Sequence, residues 1–251
     1  RIIGAVGGTM TRFDSYLVSL ISCWVIGSNL RYGYIARPEY SLSAFAAWIQ
    51  VILGDSNSAK RLARIAEDLG RQSENLIERP RLKMQISAIL NPFWMPRRTA
   101  LAPLSSVTES FYEVGDVEFA HYARFMQTYF LALGGASVGE SSRKFDALAE
   151  AVRRACQHYP VAEGSSQIYR LLLQPELCFE RFEQGLDQSD AWIEANPGSA
   201  QCYLRTLWIM MLCILNLHEL AHRQSLRLGD MRVRSVPYVR AVDHEMYLGV
   251  S

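Results

Sequence analysis

No apolar run in this chain reaches the roughly 20 residues needed to span a bilayer; the longest, Tyr16–Ile26 and Leu207–Leu215, fall well short. No basic, apolar, small-residue leader opens the sequence. There is no excess of charge either: 26 basic and 25 acidic residues leave a formal charge of +1. A nucleic-acid binder ordinarily carries a basic stripe. The nearest approaches here are Pro96-Arg97-Arg98 and the string Arg223, Arg227, Arg232, Arg234 and Arg240, which read more simply as a loop and a solvated helix face. Cysteine is sparse and unpaired in pattern. Cys23, Cys156, Cys178, Cys202 and Cys213 form no CxxC, so they read as small buried apolar residues in a reducing compartment. The expectation from these absences is a cytoplasmic protein with neither a nucleic-acid nor a membrane partner.

Alternation of apolar and polar residues, the mark of a half-buried strand, is also missing. The valines and isoleucines lie at helical spacing instead. Half the chain is apolar and a fifth is charged, enough for one or two cores or for a continuous array of helices.

What is present is a helix-turn-helix pattern that recurs. In Leu42–Leu69 an apolar helix (Leu42, Phe45, Ala46, Trp48, Ile49, Ile52, Leu53) stops at Gly54-Asp55. A second helix with Ala59, Ala63 and Ala66 follows, its methyl side chains allowing close approach. A second copy starts at Gly115-Asp116 and a third covers Ala200–Leu228. Helix pairs of this size bury their apolar faces on one another and build solenoids. The prediction is an all-α, right-handed superhelix of about ten to fourteen helices in antiparallel pairs, similar to tetratricopeptide arrays, over residues 1–251 as one domain. Asp14–Gly27 reads as a buried helix and Asn29–Tyr40 as a connection. Two prolines around Trp94 place that residue on a turn, either stapling a helix pair or exposed. Val117–Leu133 reads as an aromatic-rich helix stopped by Gly134-Gly135. In residues 158–198, Pro160, Gly164, Pro175, Gly185 and Pro197 predict short, irregular helices. The chain begins at Arg1, not Met, and stops inside a predicted helix from Tyr238 onward, so a segment of a longer polypeptide is expected.

Two stretches carry a family likeness: Arg81–Arg154, with its core "NPFWMPRRTALAPLSSVTESFYEVGDVEFAHYARFMQTYFLALGG" (Asn91–Gly135), and "SVPYVRAVDHEMYLGVS" (Ser235–Ser251). With Tyr40–Gly70 they resemble the tetratricopeptide-like helical region of large predicted-ATPase signalling proteins, in which serine/threonine-kinase-like and AAA/STAND-type ATPase modules come first. Trp94, Arg97, Arg98 and Leu101 match that family's tryptophan-plus-basic segment. Gly115, Asp116, Phe119, Ala120 and Tyr122 match its glycine-acid turn before an aromatic helix. The resemblance departs at residues 158–198, and the chain has no GxxxxGK[ST], HRD, DFG or phosphoacceptor-histidine box, so no catalytic residue carries over. It implies a non-catalytic sensor or coupling arm, without a cofactor, that binds a protein, a peptide or neighbouring domains of the same polypeptide. A free-standing peptide-binding adaptor is the alternative of similar kind.

One motif could carry chemistry. His218-Glu219-Leu220-Ala221-His222 is HExxH, which on a helix sets two imidazoles at i and i+4 to chelate Zn²⁺, with Glu219 as the base for a bound water. A third ligand would have to come from Asp243, His244 or, best placed for a zincin, Glu245. Against the hydrolase stand the absence of the HxxGxxH extension, whose places hold Ser225 and Leu228, and the lack of strands to bind extended substrate. The motif also falls where a repeat helix would open: Asn216-Leu217 takes the place of the glycine-acid turn and Ala221 the place of Ala59. The structural reading is therefore preferred. Gly4, Gly7 and Gly8 lack the strand and lysine of a phosphate loop, and Gly134–Ser137 reads as a turn. For a ligand or partner groove, the candidates are Phe119, Tyr122, Phe125 and Tyr129, with the plainer alternative that this stripe is core. His121 beside it reads as a satisfied or exposed histidine.

Overall fold

The computed structural model describes residues 15–33, 38–73, 75–157, 159–173, 179–195 and 199–228. Among them there is no strand. The helices are α1 (Ser15–Tyr32), α2 (Pro38–Trp48), α3 (Ser56–Gln72), α4 (Glu78–Gln85), α5 (Arg97–Leu101), α6 (Leu104–Glu113), α7 (Val117–Leu133), α8 (Val138–Arg154), α9 (Pro160–Leu172), α10 (Phe179–Ala195), α11 (Ser199–Ile214) and α12 (His218–Leu228). π-helical turns at Ile49–Leu53 and Ile86–Leu90 prolong α2 and α4. This all-helical architecture of packed neighbours is consistent with an α-solenoid. By contacts the chain forms two compact units, one holding the described residues up to Ala120 and the other those from His121.

The connections between paired helices share one backbone device. Gly115, Gly135, Cys156 and Asn216 all adopt positive φ, at 73°, 91°, 51° and 57°. In each case the residue after the left-handed one donates its N–H to the carbonyl five residues back: Asp116 to Phe111, Ala136 to Leu131, Gln157 to Val152 and Leu217 to Leu212. The left-handed residue itself donates to the carbonyl three back, as in Gly115 to Tyr112 and Asn216 to Cys213. This is the Schellman closure, which satisfies carbonyls that the helix end would leave without partners. Gly54 (φ 67°) reverses the chain after the first π-turn.

The next helix then opens in a repeated way. Ala59, Ala120 and Ala221 donate their N–H groups to the carbonyls of Asp55, Asp116 and Leu217, each at 3.0 Å. All three methyl groups are fully buried. A side chain larger than methyl there would hold the helix away from its neighbour. Asp55 adds a side-chain cap, accepting from Ser58 N at 3.0 Å.

In the first unit α2 packs on α1 and α3, and α4 on α3 and α6. Its core includes Leu42, Ala47, Ala63, Ala66, Ile89, Leu104 and Phe111. In the second unit α8 packs on α9 and α11 on α12, and α9 joins the two pairs through α11. Phe125, Phe145, Tyr169 and Trp208 lie at its centre. Burial of each such large apolar side chain contributes ~1.5–3 kcal/mol.

Four expectations are corrected. Cys23 and Cys156 are exposed, not buried. The first helix is not buried along its length, since Leu20, Trp24 and Leu30 are exposed. The first helix does not stop at Gly27: it runs to Tyr32 and breaks at Gly33, whose φ is 80°. Gly27 keeps helical geometry, and the left-handed conformation falls at the later glycine. Nor do Gly164 and Gly185 break residues 158–198 into fragments. They lie inside α9 and α10, helices of 13 and 17 residues. A Cβ at Gly164 would come within 2.7 Å of Leu204 and 2.9 Å of Trp192, and one at Gly185 within 2.5 Å of Leu171. These glycines serve close approach between helices. Pro160 sits at the start of α9, where no N–H is needed. Pro175, Pro197 and the helix expected from Tyr238 onward lie outside the described residues.

Candidate functional site

The HExxH sequence forms the opening of α12. His218, Glu219 and His222 are exposed, while Leu220 and Ala221 face inward. The two imidazoles thus lie on the solvent side of the helix. Among the described residues no group of three His, Cys, Asp or Glu side chains is placed to hold a metal ion. Glu245, Asp243 and His244 lie outside the described residues. Ala221 occupies the position of Ala59 and Ala120 after its turn, with the same hydrogen bond and the same complete burial. Leu220, Ala221, Gln224 and Ser225 form the inward side of the helix, and His218, Glu219 and His222 lie off it.

Half of the aromatic stripe on α7 is core. Phe125 and Tyr129 are each 1 % exposed. Their rings lie 5.9 Å apart, with Phe145 6.0 Å and Tyr159 5.7 Å from Phe125. Tyr122 is half-buried, 6.2 Å from Tyr159. In the first unit Phe119 is covered by the Arg81 guanidinium, 4.3 Å from its ring centre, and by Phe111 at 5.6 Å. The groove expectation is therefore corrected for Phe125 and Tyr129, which are core: the period that suggested a lining stripe is also the period of a helix packed on its neighbours. His121 is buried, with Nδ1 2.7 Å from Gln157 Oε1.

Trp94 is a staple. Its indole N–H donates to Gln50 Oε1 at 2.9 Å, and Lys60 Nζ lies 5.8 Å from the ring centre. The loop between α4 and α5 is thereby tied to the π-turn after α2 and to α3. Gly134–Ser137 is a turn whose Ser137 Oγ accepts from Glu140 N at 3.1 Å, capping α8. Arg98 is exposed, and Gly4, Gly7 and Gly8 lie outside the described residues.

Sequence reasoning missed a cluster on α10, α11 and α12. Arg205 has a fully buried side chain. It donates to Asp190 Oδ1 at 2.8 Å, to Gln224 Oε1 at 2.6 Å, and to Glu194. Gln224 Nε2 donates to Asp190 Oδ2 at 2.8 Å, and Arg227 also pairs with Asp190. Trp208 donates its indole N–H to Ser189 Oγ at 2.7 Å beside it. Two guanidinium groups face two carboxylates, so the formal charge cancels. A fully buried charge is tolerable only when matched in this way. The signal was in the sequence: Arg205 is the sole charged residue in the sixteen of α11.

Titration behaviour elsewhere follows local bonding. Hydrogen bonds from Ser58 hold the Asp55 carboxyl below its ordinary value. Arg154 and Arg153 do the same for Glu150. Burial pushes the Cys213 thiol up, which favours its unreactive protonated form.

Comparison with family models, with curated proteins and with solved structures returns no match. No described helix is long and apolar enough to cross a membrane.

Proposed function

We propose that this chain is a non-catalytic interaction or sensor scaffold, a tetratricopeptide-like right-handed superhelix that couples binding of a protein or peptide to neighbouring ATPase and kinase domains in cytoplasmic signalling. The observation that supports this reading best is the common register of the three helix openings at Ala59, Ala120 and Ala221. It supports reading HExxH as the opening of a repeat helix. The resemblance of Asn91–Gly135 and Ser235–Ser251 to the helical region of predicted-ATPase signalling proteins supplies the coupling half of the proposal.

Such an arm works only if its partner binds two arrangements of the helices with different affinity; equal affinity shifts nothing. The test is the native reading frame on either side of Arg1 and Ser251, followed by ATP turnover of that full chain with and without this segment. An ATPase module in frame, whose turnover changes at least severalfold on deletion, supports coupling. A frame without such modules overturns it and leaves the free-standing adaptor.

A further inference from the structure

The grip on α12 changes character along its length. In its first turn the inward side chains are Leu220 and Ala221, both apolar. One turn later the buried side chains are Gln224 and Ser225, at 2 % and 5 % exposure. Ser225 Oγ donates to the His222 carbonyl of its own helix at 2.7 Å and so spends its hydroxyl locally. Among the described side chains of this second half, those that reach out are polar: Gln224 and Arg227 to Asp190, and Arg223 Nη2 to Glu183 Oε1 at 3.2 Å. The same Asp190 is bound by Arg205, which is shut away from water in α11.

We infer that the second half of α12, residues 223–228, is a conditional segment docked by an ionic latch, in which buried Arg205 holds Asp190 and Gln224 together and so ties α12 to α10. The first turn is the hinge, because its apolar contacts and the 3.0 Å bond from Ala221 N to the Leu217 carbonyl do not depend on the latch.

The arithmetic of buried charge makes the latch all-or-none. Arg205 Nε has no hydrogen-bonding partner among the described residues, so the guanidinium is short of one acceptor there. Loss of the Asp190 charge would leave it facing Glu194, which is 60 % exposed, and the Gln224 amide. Water would then have to enter, past the half-exposed Arg227 of α12 or the exposed Glu194 of α10. Removing one member of a buried pair is far more disruptive than replacing the whole set by apolar groups. A packed apolar contact would instead loosen gradually with each methylene lost. The latch rests on geometry inside the second unit and stands independently of the scaffold reading.

The test is backbone hydrogen exchange of the chain carrying Asp190→Asn, against the unaltered chain and against the triple variant Asp190→Leu, Arg205→Met, Gln224→Leu. The expected result for Asp190→Asn is at least a tenfold loss of protection at residues 223–228, with residues 206–212 of α11 and the centre of α8 changed less than threefold. The triple variant, which removes the buried charges altogether, is expected to keep residues 223–228 within threefold of the unaltered chain. The inference is overturned if Asp190→Asn leaves 223–228 unchanged, or if α11 loses protection by the same factor. It is equally overturned if the triple variant opens that segment as far as Asp190→Asn does.

Discussion

Arg81 and Asp116, 35 positions apart, are joined by two hydrogen bonds to one oxygen: Nε at 2.9 Å and Nη2 at 2.7 Å from Asp116 Oδ2. Asp116 is the residue after the left-handed glycine of the α6–α7 turn, so this pair ties α4 to the turn. The guanidinium also covers Phe119. A lysine supplies the charge but neither the planar fork nor the stacking surface. Arg81→Lys is expected to lower stability by about 1–2 kcal/mol, a cost typical of a half-buried charge-assisted pair. Urea unfolding followed by tryptophan fluorescence measures it, and a change under about 0.3 kcal/mol would show that the pair merely decorates the turn.

Cys156 and Asn216 take the conformation that Gly115 and Gly135 take in the equivalent turns. A left-handed non-glycine residue costs ~1–2 kcal/mol, less for asparagine. Cys156→Gly is therefore expected to stabilise by about 1 kcal/mol, and Asn216→Gly to be neutral within a few tenths. Asn216→Ala should destabilise by about 1 kcal/mol. Thermal denaturation ranks the three, and Cys156→Gly falling below the parent would contradict the turn geometry.

The helices of the first pair were legible because their information is local. Gly54-Asp55 marks a stop and a cap, and Ala59, Ala63 and Ala66 mark a contact face; all three alanines are buried. The same local logic placed Ala221 in register with Ala59 without any coordinates. It failed at Gly164 and Gly185, because a helical glycine that breaks and one that admits a neighbour look alike until Leu204, Trp192 and Leu171 are in place. It left Phe125 and Tyr129 open between a groove and the core, where they lie. A helix that lines a groove and a helix packed on several sides share a 3.6-residue period, and only the positions of Phe145 and Tyr159 decide between them. The Arg205 cluster needed three helices to converge. Its one local trace was a charge isolated in an apolar helix.

Two glycines inside helices separate propensity from packing. Gly27 has nothing within 4 Å of where a Cβ would stand, so Gly27→Ala should gain about 0.5–1 kcal/mol from helix propensity alone. Gly164→Ala receives the same propensity gain but drives its methyl against Leu204 and the Trp192 ring edge. Overpacking costs about 1–3 kcal/mol, so the net effect should be destabilising. Opposite signs in paired denaturant curves are the expected outcome. A stabilising Gly164→Ala would mean that Leu204 and Trp192 yield freely and that α9 and α11 do not need the close approach.

His218 and His222 offer the sharpest separation of a hydrolase from a repeat helix. Both are exposed, so replacing them removes no core contact. The double variant His218→Ala, His222→Ala is expected to unfold within about 0.5 kcal/mol of the parent, as for other surface substitutions. After a chelator wash and dialysis against zinc, the parent is expected to hold zinc well below one equivalent. A helical His pair alone gives two ligands, whereas a zinc enzyme keeps three protein ligands and one open position. Elemental analysis of parent, double variant and Glu245→Gln distinguishes the cases. One zinc per parent chain, lost in both variants, would establish the three-ligand site, make Glu219 the candidate base and replace the scaffold reading with metal-assisted hydrolysis. Zinc lost only in the double variant, at sub-stoichiometric level and without any peptidase activity, would mark the pair as a surface chelate on a repeat helix.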